Sequence, residues 1–429
     1  MSWDVRTIGE VCTLEKGNIG ITKAIDGEYP LVVLGEERKT HNEFHFDDEA
    51  VIIPLVSSTG HGHRSMKRIH YQSGKFSVGN ILCTVIPKDK SILSAQYLYR
   101  YLDLNKETEL VSRMKGMANV SLPMKSIAEV EIPIPPIEVQ HDIISKFEAL
   151  EESNNTLQDE QSYQLDLLKK LRQQILQYAL QGKLVPQDPN DEPASVLLER
   201  IKAEKEKLVR EKKIKKEKPL PLIKPEEIPF EIPENWVWCR LGEIVEYTVN
   251  KDIHRDFSPE TLINYVDIDA IDNQHYKIRE SKIKPVGELS SRARRVLKEG
   301  FILYSLVRPY LNNIAIIENE KDNYIGSTGF AVFSGIMVDN KYVKYFLLSD
   351  YVRKKYLELL SGFNSPSITF DAFNSTIFPL PPLKEQTRIV TKIEQLMKIC
   401  DELEQSIQQN QKYTHELLQV ALKEALQHD

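Results

Sequence analysis

The sequence predicts an α+β protein made of two mixed α/β bodies in tandem, each followed by one long helix. Three observations carry that prediction. The chain repeats itself: IPIPPIEVQHDIISKFEAL from Ile132 matches FPLPPLKEQTRIVTKIEQL from Phe378 without a gap, and 15 of 50 positions between 132–181 and 378–427 are identical. A repeat sets the number of folding units, so it is sought before any single element. A 4, 3 apolar spacing then runs down both matched stretches, as a helix presenting one seam requires. Finally, short β-branched and aromatic runs bounded by turn residues (YPLVVLG, AVIIPLV, NILCTVI, FILYSLV, GFAVFSG) read as strands within the bodies.

Length and composition agree with this division. The 429 residues allow two to four domains, and 41% hydrophobic residues suffice to build cores. No run of eighteen uncharged apolar residues occurs, and Asp4 and Glu10 stand where a signal peptide needs an apolar core, so a soluble intracellular protein is expected. Cys12, Cys83, Cys239 and Cys400 form no CxxC pair, which argues against a disulfide framework or a zinc ribbon.

The elements follow in order. The first body covers 1–135. Pro135 and Pro136 end it, because proline cannot continue a helix but can begin one. The first helix, 136–182, carries its seam on Ile143, Phe147, Leu150, Leu157, Leu168, Leu171 and Ile175, with Asn154, Gln161, Gln164 and Tyr178 in phase, and Gly182 reads as its C-cap. Within it, residues 138–181 make 44 helical positions, which would span roughly 66 Å. A charged segment and Pro-rich linker occupy 183–230. There Pro193 and Ser195 open a helix that Pro219 closes, either solvated or docked on a partner or on phosphate. The second body, 231–381, starts with WVWCRLGEIV, which resembles WDVRTIGEV at the start of the first. The offset grows from 233 here to 246 at the helices, so the second copy holds thirteen extra residues in its middle. The second helix, 382–429, places Ile389, Ile393, Leu396, Leu403, Ile407 and Leu417 on its seam, with Cys400, Asn410, Thr414 and Glu424 in phase.

The net charge of −7 conceals local patches. Residues 60–130 hold 11 basic and 5 acidic groups, and 277–298 hold 8 and 2. Phosphate binding needs such clusters rather than a positive total. In the first body the candidates are His61, His63, Arg64, Lys67, Arg68 and Lys75, in a stretch free of acids whose Gly60, Gly62 and Gly74 permit close backbone approach. In the second they are Lys277, Arg279, Arg292, Arg294, Arg295 and Arg308. Gly116 and Gly362 lie at equal distance from the two exits, so they should serve architecture, and base contacts are expected in loops the bodies do not share.

The Pro-Pro exits leading into a Gln-containing helix (Gln140, and Glu385-Gln386), the STGHGH and FSVGNILC stretches, and VRPYL with GSTGFAVF resemble the specificity subunit of type I restriction-modification systems. The likeness covers essentially the whole chain in the order body, helix, linker, body, helix, departing only where the first exit reads IEVQ. It implies two target-recognition domains in a pseudo-two-fold tandem, each reading half of a bipartite DNA site, joined by two long helices packed as an antiparallel coiled coil. It further implies double-stranded DNA, methyltransferase (modification) subunits and restriction/translocase subunits as partners in a bacterial or archaeal cytoplasm, with no membrane. Catalytic residues, cofactors and metal are then not expected on this chain; S-adenosylmethionine, ATP and Mg would belong to the partners. Two other readings stay open: a coiled-coil adaptor that binds no DNA, and part of a metal-dependent nuclease. The last would use Asp267 or Asp269 with Glu280 and Lys282.

Overall fold

In the computed structural model, residues 3–59, 62–362 and 365–426 are described. They form two compact units. One comprises residues 1–163 with 407–429, the other 164–406.

In the first unit, strands Asp4–Thr7 and Glu131–Ile134 pair antiparallel. A four-stranded sheet runs in the order Cys12–Lys16, Leu82–Pro87, Ala50–Pro54, His70–Gln72, and a second in the order Lys39–His41, Tyr29–Val32, Lys75–Val78, Phe46–Asp47. Ala50–Pro54 explains why a continuous apolar run reads as a strand. Val51 and Ile53 enter the main core beside Tyr97, Leu98 and Ile143, while Ala50 and Ile52 enter a smaller core with Val32, Phe76 and Val78. A strand buried on both faces has no polar side to alternate with.

The second unit repeats this plan. Val237–Arg240 pairs with Ile377–Leu380. Its sheets run Val245–Tyr247, Phe330–Gly335, Ile302–Ser305, Ile314–Ile316 and Lys282–Pro285, Leu262–Val266, Tyr324–Ser327, Ala293–Val296. The parallel pairing of Tyr29–Val32 with Lys75–Val78 recurs between Leu262–Val266 and Tyr324–Ser327. A small hairpin, Ile271–Asp272 with Lys277–Ile278, has no counterpart among the described residues of the first body. Shared residues make shared bonds: Glu10 and Glu243 accept from the backbone N–H of Thr7 and Arg240 at 2.8 and 2.7 Å, and the Tyr97 and Tyr342 hydroxyls donate to Pro133 and Pro379 at 2.9 and 3.1 Å.

The long helices, Ile137–Leu180 and Leu383–Ala425, pass through both units. In the first unit Ile143, Ile144 and Phe147 share a core with Leu422 and Leu426, so the start of one helix lies beside the end of the other. In the second, Arg172 reaches Asp401 at 2.6 Å and Glu404 at 2.8 Å. The helices therefore pack antiparallel. Their buried stripe is not the strict heptad seam. Ile143, Phe147, Leu168, Ile175, Ile389 and Ile393 are buried and Leu150, Leu396 and Ile407 half-buried, but Leu157, Leu171, Leu403 and Leu417 are exposed. Tyr178, thirty-five residues after Ile143, is 45% exposed, whereas Ala179, thirty-six after it, is 1% exposed. Thirty-six residues are ten turns of a helix at about 3.6 per turn, and a repeat of seven drifts from such a helix by about 20° per heptad.

The segment between the bodies also departs from expectation. Its helix, Ala194–Arg210, ends eight residues short of Lys218, with Lys212 in the left-handed region (φ 59°). Nor is it simply solvated: Leu197, Leu198 and Ile201 are buried, and the Lys205 ammonium donates to Gly242 and Val245 carbonyls. Arg240, almost fully buried, then holds the returning strap by donating to Pro221 and Leu222 carbonyls and to both Glu227 oxygens.

Candidate nucleic-acid interface

The basic stretch of the first body joins Ala50–Pro54 to His70–Gln72 and folds on itself. Ser58 N–H donates to Ser65 O at 2.9 Å, the Ser57 hydroxyl to His63 O at 2.6 Å, and Lys67 N–H to the Ser58 hydroxyl at 3.0 Å. Met66 and Ile69 are buried and pin the loop to the core, leaving His63, Arg64 and Lys67 exposed. Arg64 makes a long 3.4 Å contact to Ser112 O. Two other candidates are engaged within the body. Arg68 pairs with Glu36 at 2.8 Å, and Lys75 stands 4.7 Å from the Phe44 ring centre. His61 and Gly60 lie outside the described residues.

Three histidines of this body, His41, His45 and His70, have internal partners. His45 Nδ1 lies 2.8 Å from the Ser77 hydroxyl, and His41 Nδ1 lies 3.2 Å from Ile25 O. Burial, followed by the charges of Arg38 and Arg68, pulls His70 down to about 4.

In the second body four of the six basic candidates have partners within the body. Lys277 pairs with Glu318 at 3.4 Å and Arg279 with Asp272 at 3.8 Å, both on the extra hairpin. Arg295 donates to Asn250 Oδ1 at 3.0 Å, and burial lowers its pKa from the usual guanidinium value. Arg292 and Arg294 flank the start of strand Ala293–Val296. Arg292 is exposed, and Arg294 donates to Ser291 O at 2.9 Å. Arg308 sits in the connection from Ile302–Ser305 to Ile314–Ile316, in the left-handed region at φ 47°, with Asn312 likewise at φ 54°. Asn312 is not among the sequence candidates, because backbone strain leaves no mark in a sequence. Of the nuclease-like group, Asp269 is held by Lys282 at 2.7 Å, so that carboxylate is already neutralised by its own neighbour.

The turns before the two exits match bond for bond. Lys115 and Ser121 bridge across Gly116 (φ 113°), as Ser361 and Ser367 bridge across Gly362 (φ 95°). A Cβ at Gly116 would lie 2.3 Å from Asn119 O, so only glycine fits there. Phe363 and Asn364 lie outside the described residues. Past the exits, Gln140 accepts from Ser94 N–H at 2.8 Å and donates to Pro135 O at 2.8 Å; Gln386 accepts from Asp339 N–H at 2.9 Å and donates to Pro381 O at 3.0 Å.

The sequence profile described as Type I restriction modification DNA specificity domain matches residues 1–166 and 233–412, one region on each body. The chain belongs to this family. Among its relatives are two Escherichia coli proteins, the type I restriction enzyme EcoAI specificity subunit (37% identical over 245 residues) and the EcoEI specificity subunit (34% over 265). Each match covers 56% of this chain, and the chain spans only 41% and 42% of those two relatives. The Escherichia coli EcoDI specificity subunit is 23% identical over 421 residues, covering 95% of this chain and 84% of that protein. The fold resembles the HsdS subunit of Thermoanaerobacter tengcongensis, with a TM-score of 0.54 at 17% identity over 99% of this chain and 96% of that one. It also resembles a chain from a structural study of complex assembly and conformational transition in a type I R-M system, with a TM-score of 0.62 at 17% identity over 100% of this chain and 98% of that one. The family thus shares the duplicated body and paired helices seen here.

Proposed function

We propose that this specificity-family chain reads a bipartite DNA sequence made of two unlike halves, one for each body, and positions modification and restriction/translocase subunits on it. One observation carries the reading: the two bodies share a scaffold down to individual hydrogen bonds and differ in the loops mounted on it. A protein binding one symmetric ligand has no use for that difference, whereas an asymmetric site requires it. Chemistry then belongs to the partners, with S-adenosylmethionine, ATP and Mg on their side, in the cytoplasm.

Exposed apolar side chains on the long helices support the partner surface. Leu157, Tyr163, Tyr413, Leu417 and Val420 in the first unit, and Leu167, Leu171, Tyr178, Ile399 and Leu403 in the second, lie open to solvent. Side chains of this size in such number mark a surface that another helix covers. The test of the whole reading is duplex binding against salt, with methylation mapping of a genome that carries the chain and its methyltransferase. A bipartite, non-palindromic methylated sequence is expected, and a palindrome would contradict the proposal. Arg64→Ala, Lys67→Ala and Arg68→Ala together should weaken duplex binding, the first two carrying the loss because Arg68 is committed to Glu36.

A further inference from the structure

The two bodies join equivalent strands by connections of unequal length on an identical seat. In the first body this connection is 55–69; in the second it is 306–313. Leu122 N–H donates to Leu55 O at 2.9 Å, and Ile368 N–H donates to Leu306 O at 3.0 Å. Val56 bridges Ser121 as Val307 bridges Ser367. The seat is the glycine turn common to both copies. Beyond the Leu-Val pair with which both begin, what stands on it shares neither length nor sequence.

We infer that these two connections are the base-reading elements, one for each half-sequence, with Arg64 and Lys67 presented by the first and Arg308 and Asn312 by the second. The inference rests on the DNA reading proposed above and assigns it to particular loops. Phosphate attraction requires only charge, but a bidentate contact to a base edge requires a side chain held at a fixed position and angle. Both connections are held in that way. The first is crosslinked by its serines and plugged by Met66 and Ile69. The second is short and strained. Arg308 and Asn312 are left-handed on either side of buried Pro309, and the conformation is imposed by Arg308 N–H donating to Pro366 O at 2.8 Å and Asn273 Nδ2 donating to Leu311 O at 3.1 Å. Asparagine adopts the left-handed region with little strain, but an arginine is kept there only where its surroundings over-determine it, and such positions cluster at functional sites. The residue types also match the edges of bases, since arginine or lysine pairs with guanine and asparagine with adenine.

The test maps methylation by the full chain assembled with its methyltransferase. Asn312→Gly places glycine at a φ that glycine prefers, so the fold is not strained, and an unchanged melting temperature confirms it. This variant should relax one position of one half-sequence, with discrimination there falling about tenfold or more, while the other half stays intact. Arg64→Ala with Lys67→Ala should relax the other half in the same way. Both sequences unchanged at wild-type occupancy would overturn the assignment. So would uniformly weaker methylation with no relaxed position, which would mean phosphate contacts alone. A wild-type complex that methylates no bipartite sequence would instead remove the DNA reading beneath the assignment.

Discussion

Residue 139, in the first turn of the first long helix, is valine, and its counterpart in the second long helix, residue 385, is glutamate; the surroundings change with the side chain. Glu385 is fully buried and accepts from Trp236 Nε1 at 3.0 Å and Gln187 Nε2 at 2.6 Å, so it ties the linker to the helix entry. Val139 packs beside Trp3 against the first core. The glutamine one position later is the same in both and shares two bonds, to which Gln140 adds a third by donating to Ile92 O at 2.7 Å. The difference separates two kinds of shared residue. Gln140 and Gln386 are architecture, required wherever a body meets its helix, whereas Glu385 serves the linker, which only the second body receives.

The largest effect that would sharpen this comparison comes from Gln140→Leu. It strands the Ser94 N–H and the Ile92 and Pro135 carbonyls in a buried site, at a cost of about 3–4 kcal/mol. Gln386→Leu, with two such bonds, should lose less on thermal melting, and equal losses would mean that the glutamines act mainly by volume. Next, Glu385→Val copies the first body into the second. It leaves Trp236 Nε1 and Gln187 without their acceptor and should destabilise by about 2 kcal/mol, an effect that Glu385→Gln recovers in part. A neutral Glu385→Val would show that the linker needs no anchor there. The smallest effect depends on pH. His70 begins the fourth strand of its sheet, where the second body has Ile314. Its pKa of about 4 lies below the unfolded value near 6.5, so unfolding takes up a proton between these limits. Stability is then lost as pH falls from 6.5 towards 4, by roughly 1–2 kcal/mol at pH 5. Calorimetry of wild type and His70→Gln at pH 7 and pH 5 checks this, since the variant should lack the loss.

How much is legible in the sequence follows from where each signal originates. The duplication, the strand runs and the proline-marked helix entries are local, and the fold keeps them. The phase of the long helices is not local, because 3.5 and 3.6 residues per turn differ by a single residue only after ten turns. The linker segment reads as solvated or docked on a partner because lysines outnumber leucines between 195 and 218, yet Leu197, Leu198 and Ile201 fall on one face of the helix and Lys205 finds carbonyls to hold. Arg64 and Lys67 are readable as an acid-free cluster. Arg68, Lys277 and Arg279 are not separable from them, since the carboxylates they meet are remote in the chain or on the far side of a hairpin.

The straight stripe of the long helices restricts how this protein can change length. Seven added residues would rotate everything beyond them off the buried face by about 20°, eleven would rotate it by about 20° the other way, and eighteen make five whole turns at about 3.6. An eighteen-residue insertion in both helices, beside Gln161 and Ile407, should therefore melt close to wild type, and a seven-residue insertion should melt lower. The helix pair can grow only in steps, and its phase decides which steps remain open to a lineage selecting new spacings.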